Sequence, residues 1–380
     1  MPSASNSQKF DRERQIAYFS TCLQQLPAPY CKLDTNRLTM VHFCVHALDL
    51  LGVWDEMEKQ NVKYSSFVEA NNIIEWILST LMHIDNNDPQ EAGFIGGTFL
   101  PPHHKYHHSH IAMTYTALCI LQTLGVDVRN DPRIPQTAII RTLRRLQQPD
   151  GSFASTIQGD GEHDLRFLYC ACCISYLLDD WSGIDIPRAV SYVRNCRSFD
   201  GALALVPHGG EGHGGSTFCG VASLVLMNQL YVIGEDADWK ASLLHWCVTR
   251  QQKQGLQGRP NKDEDTCYSY WIGATLRLLG YDAGTGNEDD VLCFLDHAEL
   301  RSFVLSCQHP VLGGFSKVRN TYPDVLHSYY SLAYLSLSQK YRQDTQMKKD
   351  LEGVSLKALN CTMGIGQASI LAEEGFRPLL

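Results

Sequence analysis

Apolar residues along this chain recur at i, i+3, i+4 and i+7 in stretch after stretch. Ile73 to Met82, Ile111 to Leu124, Phe167 to Leu178 and Tyr268 to Leu279 all follow that spacing, which puts apolar side chains on one face of a helix. Alternating, strand-like runs are scarce. Turn signals punctuate the pattern at Pro149-Asp150-Gly151, Asp200-Gly201, Gly258 and Gly313-Gly314. Helices and turns repeat together. Leu146 to Phe153 leads to a loop and then His163-Asp164-Leu165-Arg166-Phe167-Leu168-Tyr169. Arg194 to Gly201 leads to Gly214 to Gly220, Arg250-Gln251-Gln252 to Asp265 to Trp271, and Ser306-Cys307-Gln308 to Asp324 to Tyr330. A degenerate copy runs from Gly93-Phe94 to His110 to Tyr115.

The copies lie roughly 50 to 57 residues apart, and units of this size are paired helices that bury their apolar faces only by stacking. Five or six such hairpins form an open arch or a closed ring. The inner helices carry Tyr, Phe and Trp at the end facing the polar loops, which favours a closed ring with an aromatic centre. The expectation is an all-α fold of about six inner and six outer helices, a single domain over 1–340. The more polar 341–380 is expected as a tail, packed on the outside or partly disordered.

Composition narrows what such a ring does. With 44% hydrophobic and 19% charged residues in 380, the chain is too apolar for disorder. A net charge of −9 argues against a nucleic-acid partner, which needs a basic face. No run of roughly 18 apolar residues suggests a membrane span. Met1 to Arg14 has no apolar core of a secretory signal, so a cytoplasmic location is expected. The 14 cysteines are then thiols in reducing surroundings: mostly buried apolar residues, or a few metal ligands or nucleophiles, rather than a disulfide framework.

Repeat register brings three of the chemically interesting residues together. Asp265 and Cys267 open one inner helix, and His327 opens the next, with Asp324 one turn before it. Oxygen, sulfur and nitrogen ligands from adjacent repeats suit Zn2+ and leave its fourth position open. The other reading makes Cys267 a core residue, Asp265 a helix N-cap and His327 a satisfied polar group; at this point both stand. The stretch His103-His104-Lys105-Tyr106-His107-His108-Ser109-His110 lies in a Pro-containing loop with no periodicity to fix its rings, and reads as an exposed loop. His110 differs, because it occupies a helix start equivalent to the site-bearing positions of other repeats.

A second cluster surrounds these ligands. His213-Gly214-Gly215 starts an inner helix, where glycines let backbone N–H groups approach an anion. Arg259 and Lys262 precede Asp265, Tyr268 adds a hydroxyl, and Lys317 sits in the Gly313-Gly314-Phe315-Ser316-Lys317 turn. So much positive charge at one end of an acidic protein suggests a phosphate-rich small ligand.

With these motifs assembled, the chain resembles the β subunits of protein prenyltransferases over roughly residues 12 to 340. The resemblance rests on the repeats, His213 to Gly220, Gly258-Arg259-Pro260-Asn261-Lys262 and Asp265 to Trp271. It implies an α/α toroid and an obligate helical α subunit. Within the family the chain is most similar to type I geranylgeranyltransferase β subunits. Lys317 stands where farnesyl- and Rab-type enzymes have a magnesium-holding Asp, which implies that Mg2+ is not required. Thr39, in Arg37-Leu38-Thr39-Met40-Val41-His42-Phe43, stands where farnesyltransferases have a bulky aromatic, leaving room for a fourth isoprene unit.

The resemblance carries zinc ligation onto Asp265, Cys267 and His327, and diphosphate binding onto His213, Arg259, Lys262, Tyr268 and Lys317. It places His110 and Arg166 towards the peptide substrate, and Thr39, Phe43 and Leu326 around the lipid end or the peptide's last pocket. The expected reaction is geranylgeranyl transfer from its diphosphate to the Cys of C-terminal Cys-aliphatic-aliphatic-Leu motifs, as on small GTPases. The alternatives are a farnesyl- or Rab-type β subunit, a class II terpene cyclase and a non-catalytic toroid. The cyclase reading draws on Asp263-Glu264-Asp265-Thr266, which lacks the final Asp of a cyclase acid cluster. The non-catalytic reading predicts no zinc.

Overall fold

A computed structural model describes residues 9–60, 69–84, 90–102, 104–159, 161–281, 294–339, 351 and 353–367. The helical spacing resolves into α1 (Arg12–Gln24), α2 (Arg37–Leu50), α3 (Val53–Gln60), α4 (Ala70–Trp76), α5 (Ile111–Thr123), α6 (Gln136–Leu146) and α7 (Leu165–Leu178). It continues in α8 (Ile186–Asn195), α9 (Gly214–Leu226), α10 (Tyr231–Gly234), α11 (Ala237–Val248), α12 (Thr266–Leu278), α13 (His297–Ser306) and α14 (Val325–Ser338). Helices α2, α5, α7, α9, α12 and α14 are the inner ones. Each packs on the next, and α14 packs back on α2, so the ring closes. These helices are apolar nearly all round, as expected of helices covered on both faces; in α7 even Cys170, Cys172 and Cys173 are buried. Outer helices are one-sided. In α6, Ile139, Ile140, Leu143 and Leu146 are buried, while Arg141 and Arg144 are exposed. No helix among the described residues is long and apolar enough to cross a membrane.

A repeated side-chain clasp spaces the outer wall. Gln147 accepts from the N–H of Asp185 at 2.7 Å and donates to its carbonyl at 3.1 Å. Gln251 does the same with Asp296, at 2.8 and 3.0 Å. Each clasped Asp is the N-cap of the next outer helix. Arg197 replaces the glutamine at another seam and pairs with the N-cap Asp236 at 3.1 Å. The last clasp closes the circle: Gln308 accepts from the N–H of Asp11 and the amide of Gln15, and donates to the carbonyl of Lys9.

The segment after 340 departs from the expected outer tail. Residues 340–350, 352 and 368–380 lie outside the described residues, but 353–367 turns into the ring. The short strands β3 (Leu359–Asn360) and β4 (Ile365–Gly366) pair there; the earlier strands β1 (Met82–Ile84) and β2 (Ala92–Phe94) pair near α5. Carbonyls of Met363, Thr362 and Cys361 accept from the hydroxyls of Tyr115, Tyr169 and Tyr270, at 3.3, 2.8 and 3.1 Å. Those tyrosines come from three different inner helices, so the segment lies across the ring's interior. The reason is chemical: a buried phenol needs a hydrogen-bond partner, and a backbone turn supplies three. Lys357 fixes the segment by ion pairs to Asp49 and Asp55, both at 2.7 Å.

Candidate metal centre

The inner helices begin alike. His110, Asp164, His213, Asp265 and Asp324 are the N-caps of α5, α7, α9, α12 and α14, each accepting a backbone N–H of its own first turn. All five therefore stand at one end of the ring, and the chemistry gathers there. One ligand atom each from Asp265, Cys267 and His327 lies within 4.8 Å of the others, the one such cluster among the described residues.

The two open readings of these residues prove compatible. Asp265 is an N-cap, its Oδ1 accepting from the Cys267 N–H at 3.0 Å, and the same oxygen stands 3.3 Å from His327 Nε2. Cys267 is buried, yet its thiol faces the other two. Asp324 bonds the His327 N–H through Oδ1 and the ring Nδ1 through Oδ2, at 2.9 and 2.6 Å. That fixes the ring with Nε2 towards Asp265. Asp324 was placed near the site by sequence but given no task; its Asp-x-x-His spacing at a helix start was the available signal.

The electrostatics call for a cation. Burial opposes charge on His327, but hydrogen bonds to Asp265 and Asp324 outweigh it and raise its pKa to about 9. Burial also works against the Asp265 carboxylate, but hydrogen bonds from His327 and Cys267 hold it below its usual range. Burial, and then the neighbouring Asp265 carboxylate, push the Cys267 thiol well up. An imidazolium between two carboxylates thus supplies the charge that a metal would bring. Soft sulfur, imidazole and carboxylate, with the imidazole's far nitrogen held by a second carboxylate, suit zinc with one position open.

The cationic cluster lies alongside. Lys317 reaches to 3.6 Å from Asp265 Oδ2, its turn held by the Thr266 N–H bonded to the Lys317 carbonyl at 3.1 Å. His213 Nδ1 accepts from the Gly215 N–H at 3.1 Å, and its Nε2 stands 3.0 Å from the Tyr268 hydroxyl. Nε2 therefore carries the proton and donates to Tyr268, whose own O–H is left to point elsewhere. Burial and then Arg259 lower the His213 pKa, which keeps that arrangement neutral.

The glycines act differently from the expectation. The Gly214 N–H is spent on the Gly258 carbonyl and the Gly215 N–H on His213, so neither is offered to an anion. Gly214 and Gly258 instead make room for the Tyr268 ring. A Cβ on Gly258 would lie 2.0 Å from Tyr268 Cζ, and one on Gly214 3.0 Å from its Cδ1. Arg259 is paired with Glu211 at 2.7 Å, a partner the sequence did not suggest. Lys262 stands exposed in the same loop.

Below these caps runs an aromatic belt. Ring centres step from His42 to Tyr115, Tyr169, Phe218, Trp271, Tyr330 and Phe43 at 4.2 to 5.8 Å. Thr39 lies one turn above Phe43 on α2, its hydroxyl 3.7 Å from the Met113 sulfur. Leu326 is half-buried beside His327. His110 caps α5 through Nδ1, and burial lowers its pKa to about 4. The Arg166 guanidinium is held by Asp164 and Glu162, two acidic partners that sequence reading had not assigned.

Comparison with known proteins agrees with this picture. A family profile described as the prenyltransferase alpha-alpha toroid domain matches residues 10–365. The geranylgeranyl transferase type-1 subunit beta of Arabidopsis thaliana is 38% identical over 354 residues, covering 89% of this chain and 87% of the relative. Its namesake from Dictyostelium discoideum is 35% identical over 345 residues, covering 86% and 90%. Among solved structures, Candida albicans protein geranylgeranyltransferase-I complexed with GGPP matches with a TM-score of 0.74. It spans 95% of this chain and 97% of that one at 24% identity, a likeness of fold.

Proposed function

As this chain belongs to the prenyltransferase alpha-alpha toroid family, we infer that it is the catalytic β subunit of a type I protein geranylgeranyltransferase. It works with an α subunit and transfers a C20 group from geranylgeranyl diphosphate to the cysteine of Cys-aliphatic-aliphatic-Leu termini. The observation that carries this reading is the meeting of Asp265, Cys267 and His327 with a cationic cluster at the mouth of an aromatic ring.

Asp265, Cys267 and His327 would hold zinc, which when bound supplies a Lewis acid that keeps a peptide thiol as thiolate near neutral pH. The thiolate sulfur forms a bond to C1 of the lipid while the C1–O bond breaks, and the electron pair leaves with diphosphate. Asp324 keeps the His327 ring in one orientation and tautomer. His213 orients the Tyr268 hydroxyl, and Arg259 and Lys262 complete the diphosphate contacts. Lys317 stabilises charge growing on the leaving group, a task for electrostatics placed in advance. The belt from His42 to Tyr330 lines the lipid chamber. At about 0.8 kcal/mol per buried CH2, twenty carbons offer on the order of 15 kcal/mol of gross binding energy.

The test is made on the heterodimer, with C15 and C20 diphosphates competing for peptides ending in Leu or Met. C20 transfer to the Leu peptide without Mg2+ is expected, and Lys317→Asp should make activity depend on Mg2+. A wild-type enzyme that requires Mg2+, or that prefers C15, overturns the type I assignment.

A further inference from the structure

The segment that lies across the ring enters it from the end away from the metal cluster. Lys357 donates its N–H to the carbonyl of Leu50, the last residue of α2, and its own carbonyl accepts from the Ser336 hydroxyl near the end of α14. Gln339, which follows α14, accepts from the Leu356 N–H at 3.0 Å and donates to the Leu356 carbonyl at 3.3 Å. Asp324 and His327 stand at the other end of α14. The chain is thus tied to the far rim and reaches along the axis from there.

It carries inward a hairpin tip, residues 361–364 between β3 and β4, and the repeats fix how high that tip stands. Tyr115, Tyr169, Tyr270 and Tyr329 each come five residues after the N-cap of their helix, about 7.5 Å along it at 1.5 Å per residue. The first three donate to carbonyls of the tip. Tyr329 meets the tip without a bond: its hydroxyl is buried with no partner. A Cβ on Gly364 would lie 3.0 Å from the Tyr270 hydroxyl and 3.4 Å from that of Tyr329. Gly364 also has φ +70°, in the left-handed region, so glycine lets the tip both turn and come close to the two rings.

Thr362, Met363 and Ile365 are buried, so the tip fills the axis. A lipid entering between the caps meets it after roughly 7.5 Å, a depth much shorter than an extended twenty-carbon chain. The rings resting on the tip are continuous with the aromatic belt. Tyr270 stacks on Tyr330 at 5.3 Å and meets Trp271 at 5.2 Å, and Tyr329 meets Phe43 at 5.6 Å. Moving the tip therefore moves the chamber wall.

We propose that the 361–364 tip is the stop that sets how long a lipid the chamber takes, a determinant of specificity apart from Thr39. The proposal rests on the reading of this chain as a prenyltransferase β subunit. A tip that presses upward shortens the chamber and favours C15 over C20. A tip that is let down deepens it and admits C25. The tip touches neither the metal ligands nor the cationic cluster, so it acts on the choice of lipid and not on the bond-forming step.

The heterodimer is assayed with C15, C20 and C25 diphosphates competing for one Leu-terminated peptide, and the products are counted by mass spectrometry. Gly364→Ala pushes on Tyr270 and Tyr329 and should raise the C15:C20 ratio of kcat/KM about tenfold, the discrimination a filled apolar pocket gives. Asp49→Asn/Lys357→Met cuts the tether at the far rim without changing a belt residue, and should raise the C25:C20 ratio. Thermal unfolding shows which variants keep the fold. Unchanged ratios in a folded variant, or a loss shared equally by all three lipids, overturn the proposal. A wild type that prefers C15 overturns the type I assignment instead, and shifts measured from that starting ratio still decide the role of the tip.

Discussion

Gly258→Ala tests the anion cluster through a residue that touches no ligand. The new Cβ would lie 2.0 Å from Tyr268 Cζ and 2.4 Å from its hydroxyl oxygen. The ring cannot slide the other way, because Gly214 sits against its opposite edge and His213 holds its hydroxyl. Tyr268 has to swing out, and its hydroxyl leaves the proposed diphosphate site. A hydrogen bond to a charged group contributes about 1.5–3 kcal/mol, so kcat/KM for the lipid diphosphate should fall about ten- to a hundredfold. Overpacking of this kind costs about 1–3 kcal/mol of stability, which a chain with so large a core survives. The assay is steady-state transfer by the heterodimer for Gly258→Ala, Tyr268→Phe and the double variant. If the alanine acts by displacing the hydroxyl, the double variant is no worse than Gly258→Ala. Multiplying effects would refute the argument, since the glycine would then be acting on something other than Tyr268.

The metal-free protein should show a characteristic pH dependence. His327 titrates near 6.5 when unfolded and at about 9 when folded. Its ion pairs therefore stabilise fully below pH 6.5 and are lost as pH rises through 9, a swing of no more than about 3 kcal/mol. The Tm of chelated heterodimer should drop over that window, and a flat profile would count against the imidazolium. Zinc loading at pH 7 should release about two protons, from His327 and Cys267; calorimetry in buffers of different ionisation enthalpy reads the number, and zero would contradict the ligand set. Gln308→Ala removes three hydrogen bonds at the closing seam, worth about 2–4 kcal/mol together. Its Tm should fall further than that of Gln147→Ala, where the chain itself holds the seam, and equal losses would refute the closure role.

The meeting of Asp265, Cys267 and His327 was legible because repeats preserve register: an Asp or His recurs at the start of inner helices, and adjacent starts must be neighbours. Asp265, Cys267 and His327 needed nothing more. The ring itself was legible for the same reason, with aromatic residues repeated at one end of each inner helix. The fate of 353–367 was not legible, because its contacts are made by the carbonyls of Cys361, Thr362 and Met363, which every residue type possesses. Gly214 and Gly215 differ from the sequence expectation for a related reason: their N–H groups go to the Gly258 carbonyl and the His213 ring. Glycine marks a close approach, but only coordinates say whether a ligand or a Tyr ring approaches.

The clasp at Gln308 also sets a timetable. It joins positions 297 residues apart, and α14 must be complete before it can cover the open side of α2. Translation proceeds at about 5–20 residues per second, so the first helices wait about 15 to 60 s for the last. During that interval one apolar side of α2 has no neighbour. Newly made chains are therefore most exposed to aggregation late in synthesis, and a holding chaperone would act longest on the amino-terminal helices.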